Sequence, residues 1–281
     1  MSPTRLLLDA PTLVYRAFFA LPTKVTDSKG RPVNAVRGFL DMTARLIRDH
    51  PEGEIVAVFD ADWRPKFRVD AYPGYKAERP EDPPELPPQF DVITEVLDAA
   101  GVKRAEAPGL EADDAIATLV AQLGQGDRAS VVTGDRDLLA LVRDPHVELL
   151  FPVKGLSDPT RFDEAAVEAK YGIRPALYPD FATLRGDSSD GLPGVEGVGP
   201  VRAAKLLNQW ESIDGILEHL EELPPKQAQA FEKARDYLEA MKTVVRLVYD
   251  ADLDQTEAAS PDEATIRALA DEHGLGSSSA R

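Results

Sequence analysis

An α/β fold with a mostly parallel sheet, followed by an all-helical part, is predicted from three observations. Short apolar runs recur and end in Asp: Arg5-Leu-Leu-Leu before Asp9, Ile55-Val-Ala-Val-Phe before Asp60, and Ser130-Val-Val before Thr133-Gly-Asp135. Runs this short and this apolar suit strands buried on both faces. Segments with apolar residues at three- and four-residue spacing alternate with them, as crossover helices would. After about residue 172 the strand signals stop.

In order, residues 4–9 read as a strand and Leu13–Leu21 as a largely buried helix carrying Arg16. Lys24–Pro32 is a turn-rich loop, and Val33–Ile47 repeats apolar residues as an amphipathic helix does. A strand at 55–59 leads into residues 61–88, which have no period and are basic, aromatic and rich in proline. A connection of that length inside a compact domain marks function or disorder. Interleaved charges and rings suit a single-stranded nucleic acid. Phe90–Ala100 reads as a helix and Val102–Ala105 as a strand. The turn at Pro108-Gly109 then opens a helix whose first residues are Glu111, Asp113 and Asp114. Strands at 130–132 and 147–151 and a helix over Asp163–Tyr171 follow, the last capped by Asp163. In the helical part, Gly194, Gly197 and Gly199 form a tight turn before a helix opening near Pro200, a favourable first position. Such a turn offers N–H groups to phosphate, and Arg202 and Lys205 share one face of the helix behind it. Residues 254–281 are acidic, then Gly/Ser-rich, and the last few are expected to be disordered.

The acids concentrate where the strands end. Asp9, Asp60, Asp135 and Asp137 follow strands, Glu111, Asp113 and Asp114 begin a helix, and Asp187 and Asp190 lie in Arg185-Gly-Asp-Ser-Ser-Asp-Gly. In open α/β sheets that edge is where ligands bind. Two unit charges 4 Å apart repel by roughly 4 kcal/mol at an effective dielectric near 20. Divalent cations would relieve this, and an all-oxygen donor set suits Mg²⁺ or Mn²⁺ rather than zinc. The net charge of −17 argues against a polyanionic partner, but nine of the 49 acids belong to this set. Arg64, Lys66, Arg68, Lys76 and Arg79 form a local basic field. The chain has no cysteine, no apolar run near ~18 residues and no signal-peptide pattern, so a cytoplasmic location away from membranes is expected.

The residues also carry a resemblance. Leu8-Asp9 with Tyr15-Arg16-Ala-Phe-Phe, Val58-Phe-Asp60, Phe67-Arg68 and Gly74-Tyr-Lys-Ala-Glu-Arg79 stand in order in the first third. Gly109-Leu-Glu-Ala-Asp-Asp114, Thr133-Gly-Asp-Arg-Asp137, Gly186-Asp-Ser-Ser-Asp190 and Leu192-Pro-Gly-Val-Glu-Gly-Val-Gly199 complete the series. This set resembles the 5′-nuclease family of flap endonucleases and the 5′-exonuclease domain of bacterial DNA polymerase I, from about Arg5 to Leu253. The resemblance implies a PIN-like nuclease core over residues 1–172, with a helical arch at 61–88. It also implies a helical DNA-binding region over 173–281 containing a helix–three-turn–helix module. By the same resemblance Asp9, Asp60, Glu111 and Asp113 surround one metal. Asp113, Asp114, Asp135, Asp137, Asp187 and Asp190 serve a second. The ions are two or more Mg²⁺ or Mn²⁺. Arg16, Lys76 and Arg79 contact the scissile phosphate, Arg68 binds DNA, and Tyr75 stacks on a base. Gly194, Gly197, Gly199, Arg202 and Lys205 grip duplex, and the backbone of Val195 and Val198 holds a K⁺ ion. The implied activity is metal-dependent 5′-flap endonuclease and 5′-3′ exonuclease cleavage of DNA flaps, tails, nicks and gaps in replication and repair. Gly191 stands where relatives usually have Asn.

Overall fold

The computed structural model describes residues 4–51, 53–152 and 159–276. The chain opens with β1 (Thr4–Asp9), α1 (Ala10–Ala20), α2 (Asn34–Asp49), β2 (Glu54–Val58), α3 (Lys66–Ala71), α4 (Pro87–Ala99) and β3 (Lys103–Glu106). It continues through α5 (Ala112–Ala121), β4 (Arg128–Val132), β5 (Val147–Phe151), β6 (Thr160–Phe162) and α6 (Glu164–Tyr171). Five helices follow: α7 (Tyr178–Arg185), α8 (Pro200–Trp210), α9 (Ile213–Glu218), α10 (Pro225–Lys233) and α11 (Arg235–Val244). A short strand β7 (Asp254–Gln255) and a helix α12 (Glu263–Glu272) close the described chain.

The sheet has seven strands in the order β6-β5-β4-β1-β2-β3-β7. Its five inner strands are parallel, and β6 and β7 join the two edges antiparallel. Strand residues alternate between two cores, as the pleat requires. Leu7, Val56, Val58, Val131 and Leu149 face the core shared with α5 and the C-terminal helices. Leu8, Ala57, Val132 and Leu150 face the core beneath α1, α2 and α4. Helices on both faces explain why these strands read as unbroken apolar runs.

β1 pairs with β2 on one side and β4 on the other, so the order of connection reverses there. A crevice at the carboxyl ends of strands opens at such a reversal. Asp9 ends β1 at this point, and Asp60 follows β2 by two residues. The helical half is not a separate lobe. Leu184, Leu206, Leu207 and Phe231 belong to the same continuous apolar core as Leu7 and Val131.

One expectation about an irregular segment changes. A helical arch does not form over 61–88: only Lys66–Ala71 is helical, and α4 begins at Pro87. Pro73, Pro80, Pro83 and Pro84 interrupt the rest, each lacking the N–H that a helix interior needs. The acidic stretch after residue 253, to which the sequence assigned no element, is structured: β7 pairs with β3, α12 follows, and Leu275 is fully buried against the α1–α2–α4 core. The expected disorder of the Gly/Ser-rich end concerns residues 277–281, outside the described residues.

Candidate active site

Asp9 caps α1 and stands at the sheet reversal. Thr12 Oγ1 donates to its Oδ2 at 2.7 Å, and Thr133 Oγ1 donates to the same oxygen at 2.5 Å. Thr133 follows β4 directly, so its hydroxyl bridges the two strands across the reversal. Burial pushes the Asp9 carboxyl up to about 7; the two threonines oppose this, while Asp135 and Asp60 add to it. Asp60 accepts from Ala112 N–H at 2.7 Å, which caps α5, and burial pushes it up to about 6. Asp190 is likewise pushed to about 6, chiefly by burial. Burial together with neighbouring acids raises Asp113 and Asp137 well above the usual carboxylate range. The repelling neighbours are Asp135 and Asp9 for Asp113, and Asp135, Asp190 and Asp187 for Asp137. Seven aspartates therefore face one another at low exposure: 9, 60, 113, 135, 137, 187 and 190. Withdrawing like charges from water favours their neutral forms. The Asp187 carboxylate accepts from Arg185 Nη2 at 3.0 Å and from the Ser189 N–H at 3.0 Å.

Two basic residues of 61–88, Lys76 and Arg79, reach into this crevice and find acids there. Lys76 Nζ pairs with Glu111 Oε1, and Arg79 Nη2 lies 3.2 Å from Asp190 Oδ1. Burial alone would lower the Lys76 ammonium, but Glu111 and Asp190 outweigh it and leave it raised. The Lys76 backbone is left-handed at φ 51°, a costly conformation for a non-glycine residue. It is fixed by Lys76 N–H donating to Asp190 O at 3.0 Å. Arg16 lies half-buried on α1.

Two family models cover almost all of this architecture. Residues 4–172 match the 5′-3′ exonuclease N-terminal resolvase-like domain, and residues 173–266 match the 5′-3′ exonuclease C-terminal SAM fold. The chain belongs to the 5′-3′ exonuclease family. It is 45% identical over 294 residues to a 5′-3′ exonuclease of Streptomyces coelicolor, covering 97% of each chain. It is 44% identical over 256 residues to DNA polymerase I of Mycobacterium bovis, with 90% of this chain matching 28% of that protein. Among solved structures, the T5 D15 protein co-crystallised with metal ions shares the fold at a TM-score of 0.69 and 17% identity, covering 99% and 97% of the two chains. The catalytic core of Rad2 in complex with DNA substrate does so at 0.63 and 16%, covering 96% and 87%. As a member of this family the protein is a nuclease, a phosphodiester hydrolase.

In this exonuclease, four of the expected site residues meet protein partners. Arg68, expected on DNA, is 3% exposed. Its Nη1 donates to Glu111 Oε2 at 2.5 Å and Asp114 Oδ2 at 2.8 Å, and its Nη2 donates to Asp114 Oδ1 at 2.7 Å. A guanidinium this enclosed must be fully partnered, so it has no donor to offer a phosphate. Asp114, expected as a metal ligand, is 0% exposed; Arg68 holds both its oxygens, and Val248 N–H also donates to Oδ1 at 3.0 Å. It anchors helix to helix. Tyr75, expected to stack on a base, is 4% exposed and packs with Leu192, Met241 and Val244. Its hydroxyl donates to Glu111 Oε2 at 2.7 Å. Glu111, also expected on metal, thus has both oxygens engaged by Lys76, Arg68 and Tyr75. Sequence reading missed Thr133 and Thr12 beside Asp9. The signal was a threonine three residues after Asp9 and another two residues before Asp135.

The glycine-rich turn serves packing as well as exposure. Gly194 has φ 74°, and a Cβ there would meet Gly186 N at 2.6 Å. Gly199 caps α8 ahead of Pro200, and the Gly197 carbonyl accepts from Arg202 Nη1 at 2.6 Å. Val198 N–H donates to the Val195 carbonyl at 2.9 Å. Arg202 and Lys205 are exposed on α8.

Proposed function

We propose that the protein is a divalent-metal-dependent 5′ nuclease that cleaves DNA at 5′ flaps, 5′ single-strand ends, nicks and gaps. The carrying observation is the set of low-exposure aspartates at the sheet reversal, faced by Lys76 and Arg79. The metal-bound T5 D15 protein and the DNA-bound Rad2 core, which share this fold, support the reading.

The aspartates fit Mg²⁺ or Mn²⁺ in donor chemistry and in charge. Burial and repulsion by neighbouring acids raise Asp9, Asp60 and Asp190, and for Asp60 and Asp190 they outweigh the opposing charges of Lys76 and Arg79. As they stand, no three acidic or histidine side chains among the described residues converge on a single ion position. Asp9, Asp60, Asp113, Asp135, Asp137, Asp187 and Asp190 would hold two ions between them. Such ions supply an activated water and charge stabilisation for an in-line displacement at phosphorus. Lys76 and Arg79 place positive charge where the leaving oxygen becomes negative, which favours the transition state over the ground state. Arg16 joins them at the phosphate from α1. Water-exposed Arg202 and Lys205, with the Gly197–Gly199 turn, hold duplex phosphates in the 173–281 half, and the Val195 and Val198 carbonyls offer a K⁺ position in the same turn. The 1–172 half, completed by Asp187 and Asp190 of the second half, carries the chemistry.

A 5′-labelled flap duplex incubated with Mg²⁺ or Mn²⁺ should yield short products that carry the labelled 5′ end. Full cleavage in excess EDTA overturns the metal dependence, and no cleavage with either metal overturns the nuclease assignment to this site. Arg202→Ala with Lys205→Ala should weaken duplex binding across sequences and reduce the salt slope by about 1 per lost phosphate contact. An unchanged slope in a binding titration removes these residues from the duplex surface.

A further inference from the structure

Arg68 is buried between three parts of the molecule. Besides Glu111 and Asp114, it reaches the end of α11: Nε donates to Val244 O at 3.0 Å, and Nη2 donates to Arg246 O at 3.2 Å. All its N–H groups point at acceptors in two different halves of the chain. The segment that carries it rests on the helical half at further points. The Tyr72 ring meets the Tyr237 ring edge-on at 6.0 Å between centroids. Tyr75 packs with Met241 and Val244 of α11 and with Leu192. Gly191 comes so close that a Cβ there would lie 2.4 Å from Gly74 O. On its other side the same segment delivers Arg68, Tyr75 and Lys76 to one carboxylate, Glu111.

We propose that Arg68 is a positioning residue that couples the helical half to Lys76. The grip of the helical half on duplex sets the end of α11, Arg68 carries that position to Glu111, and Glu111 fixes where the Lys76 ammonium stands. The nuclease would then cleave efficiently only when duplex is held beside the single strand. This proposal rests on the nuclease reading above. The network is contiguous and hydrogen-bonded, one physical route by which such coupling travels, and it needs no contact between Arg68 and DNA. Lysine in place of Arg68 keeps the charge but lacks the planar fork that spans two carboxylates and two carbonyls.

The test reads communication as well as rate. For the wild-type chain, Arg68→Lys and the near-isosteric Tyr75→Phe, measure duplex affinity in EDTA, and kcat and KM with Mg²⁺ on a 5′-flap duplex and on the bare single strand. Arg68→Lys should leave duplex affinity within about twofold while the flap-to-single-strand ratio of kcat falls about tenfold. Tyr75→Phe, which removes one of the three Glu111 donors, should shift the ratio in the same direction by less. A second readout avoids catalysis. Trp63 is 48% exposed, and its carbonyl lies 3.4 Å from Lys76 Nζ. In a Trp210→Phe background it is the one remaining indole, since the chain has two tryptophans. Duplex should change Trp63 emission there, and the change should vanish when Arg68→Lys is added with duplex still bound. A ratio unchanged in Tyr75→Phe and an emission change that survives Arg68→Lys overturn the coupling. Equal loss of both rates with weakened duplex binding also overturns it, because that is the pattern of a merely structural residue. A wild-type chain that binds duplex but cleaves neither substrate overturns the nuclease reading alone, and the emission arm still decides the coupling. Failure to bind duplex overturns both.

Discussion

At the residue scale, the aspartates are costly to keep together, and each should show its role by what its loss improves. Asp137 N–H donates to Asp135 Oδ1 at 2.9 Å, and its carboxylate lies among Asp135, Asp187 and Asp190. Alanine there removes one of several buried charges that repel each other. Asp137→Ala should therefore abolish flap cleavage, leave duplex binding intact, and hold or raise the melting temperature in EDTA. Were Asp137 only a turn-starting residue, alanine would lower stability by about 1 kcal/mol and spare activity. Cleavage assays and thermal melts on the same preparation distinguish the two outcomes. Glu111 contrasts with it, because its oxygens are fully engaged and its loss would leave Arg68 and Lys76 buried with unpaired charge.

At the element scale, two connections deserve a test because local pattern gave little sign of them. The 186–194 loop passes against the 61–88 segment at Gly191, which has φ 72° and stands 2.4 Å, measured from an added Cβ, from Gly74 O. The resemblance places Asn there in relatives, but here both the backbone conformation and the close approach require glycine. Gly191→Ala should cost about 2–4 kcal/mol in urea unfolding and should slow cleavage by displacing the loop that bears Asp190. A loss below about 0.5 kcal/mol would show that the approach relaxes freely. The second connection is the return of β7 and α12 to the first half. β7 covers the β3 edge, Leu275 fills a site in the α1–α2–α4 core, and Glu272 pairs with Lys29 at 3.0 Å. Truncation after Leu253 should expose a sheet edge and empty that site, lowering the melting temperature and promoting aggregation seen by light scattering.

At the scale of the whole molecule, the crevice couples stability to pH. Asp9 is pushed up to about 7, and Asp60 and Asp190 to about 6, from the ordinary value of 3.8 that they regain on unfolding. Between about pH 4 and 7 the native state therefore binds more protons than the unfolded state. Stability from these groups is fully present at the acid end of that window and is lost as pH rises through it. In EDTA the melting temperature should fall from pH 5 to pH 7.5, by an amount equivalent to a few kcal/mol. Saturating Mg²⁺ should flatten or reverse the slope, since a ligand that binds only the native carboxylates stabilises it. A melting temperature that rises steadily across this range in EDTA would contradict the shifts.

The sequence by itself determined the layered α/β core, the helical second half and the location of the acids at strand ends. Those features are written in short-range patterns: apolar runs for strands buried on both faces, three- and four-residue spacing for helices, and a polar residue where each strand leaves the core. Asp9, Asp60, Asp135 and Asp137 were legible for that reason. The edge strands β6 and β7 and the helix α12 were not, because three-, two- and ten-residue elements with exposed polar faces carry little periodic signal. Tertiary structure alone decided which charges meet. Arg68 and Glu111 are 43 positions apart, and Arg68 and Val244 are 176 apart. Arg68, Tyr75 and Lys76 all look like nucleic-acid contacts beside other basic and aromatic residues. Only folding shows that Arg68 and Tyr75 are sealed in the interior and that Lys76 pairs with Glu111 at the crevice. A buried charge takes the nearest opposite charge because it cannot remain unpaired away from water, and sequence spacing does not say which one that is.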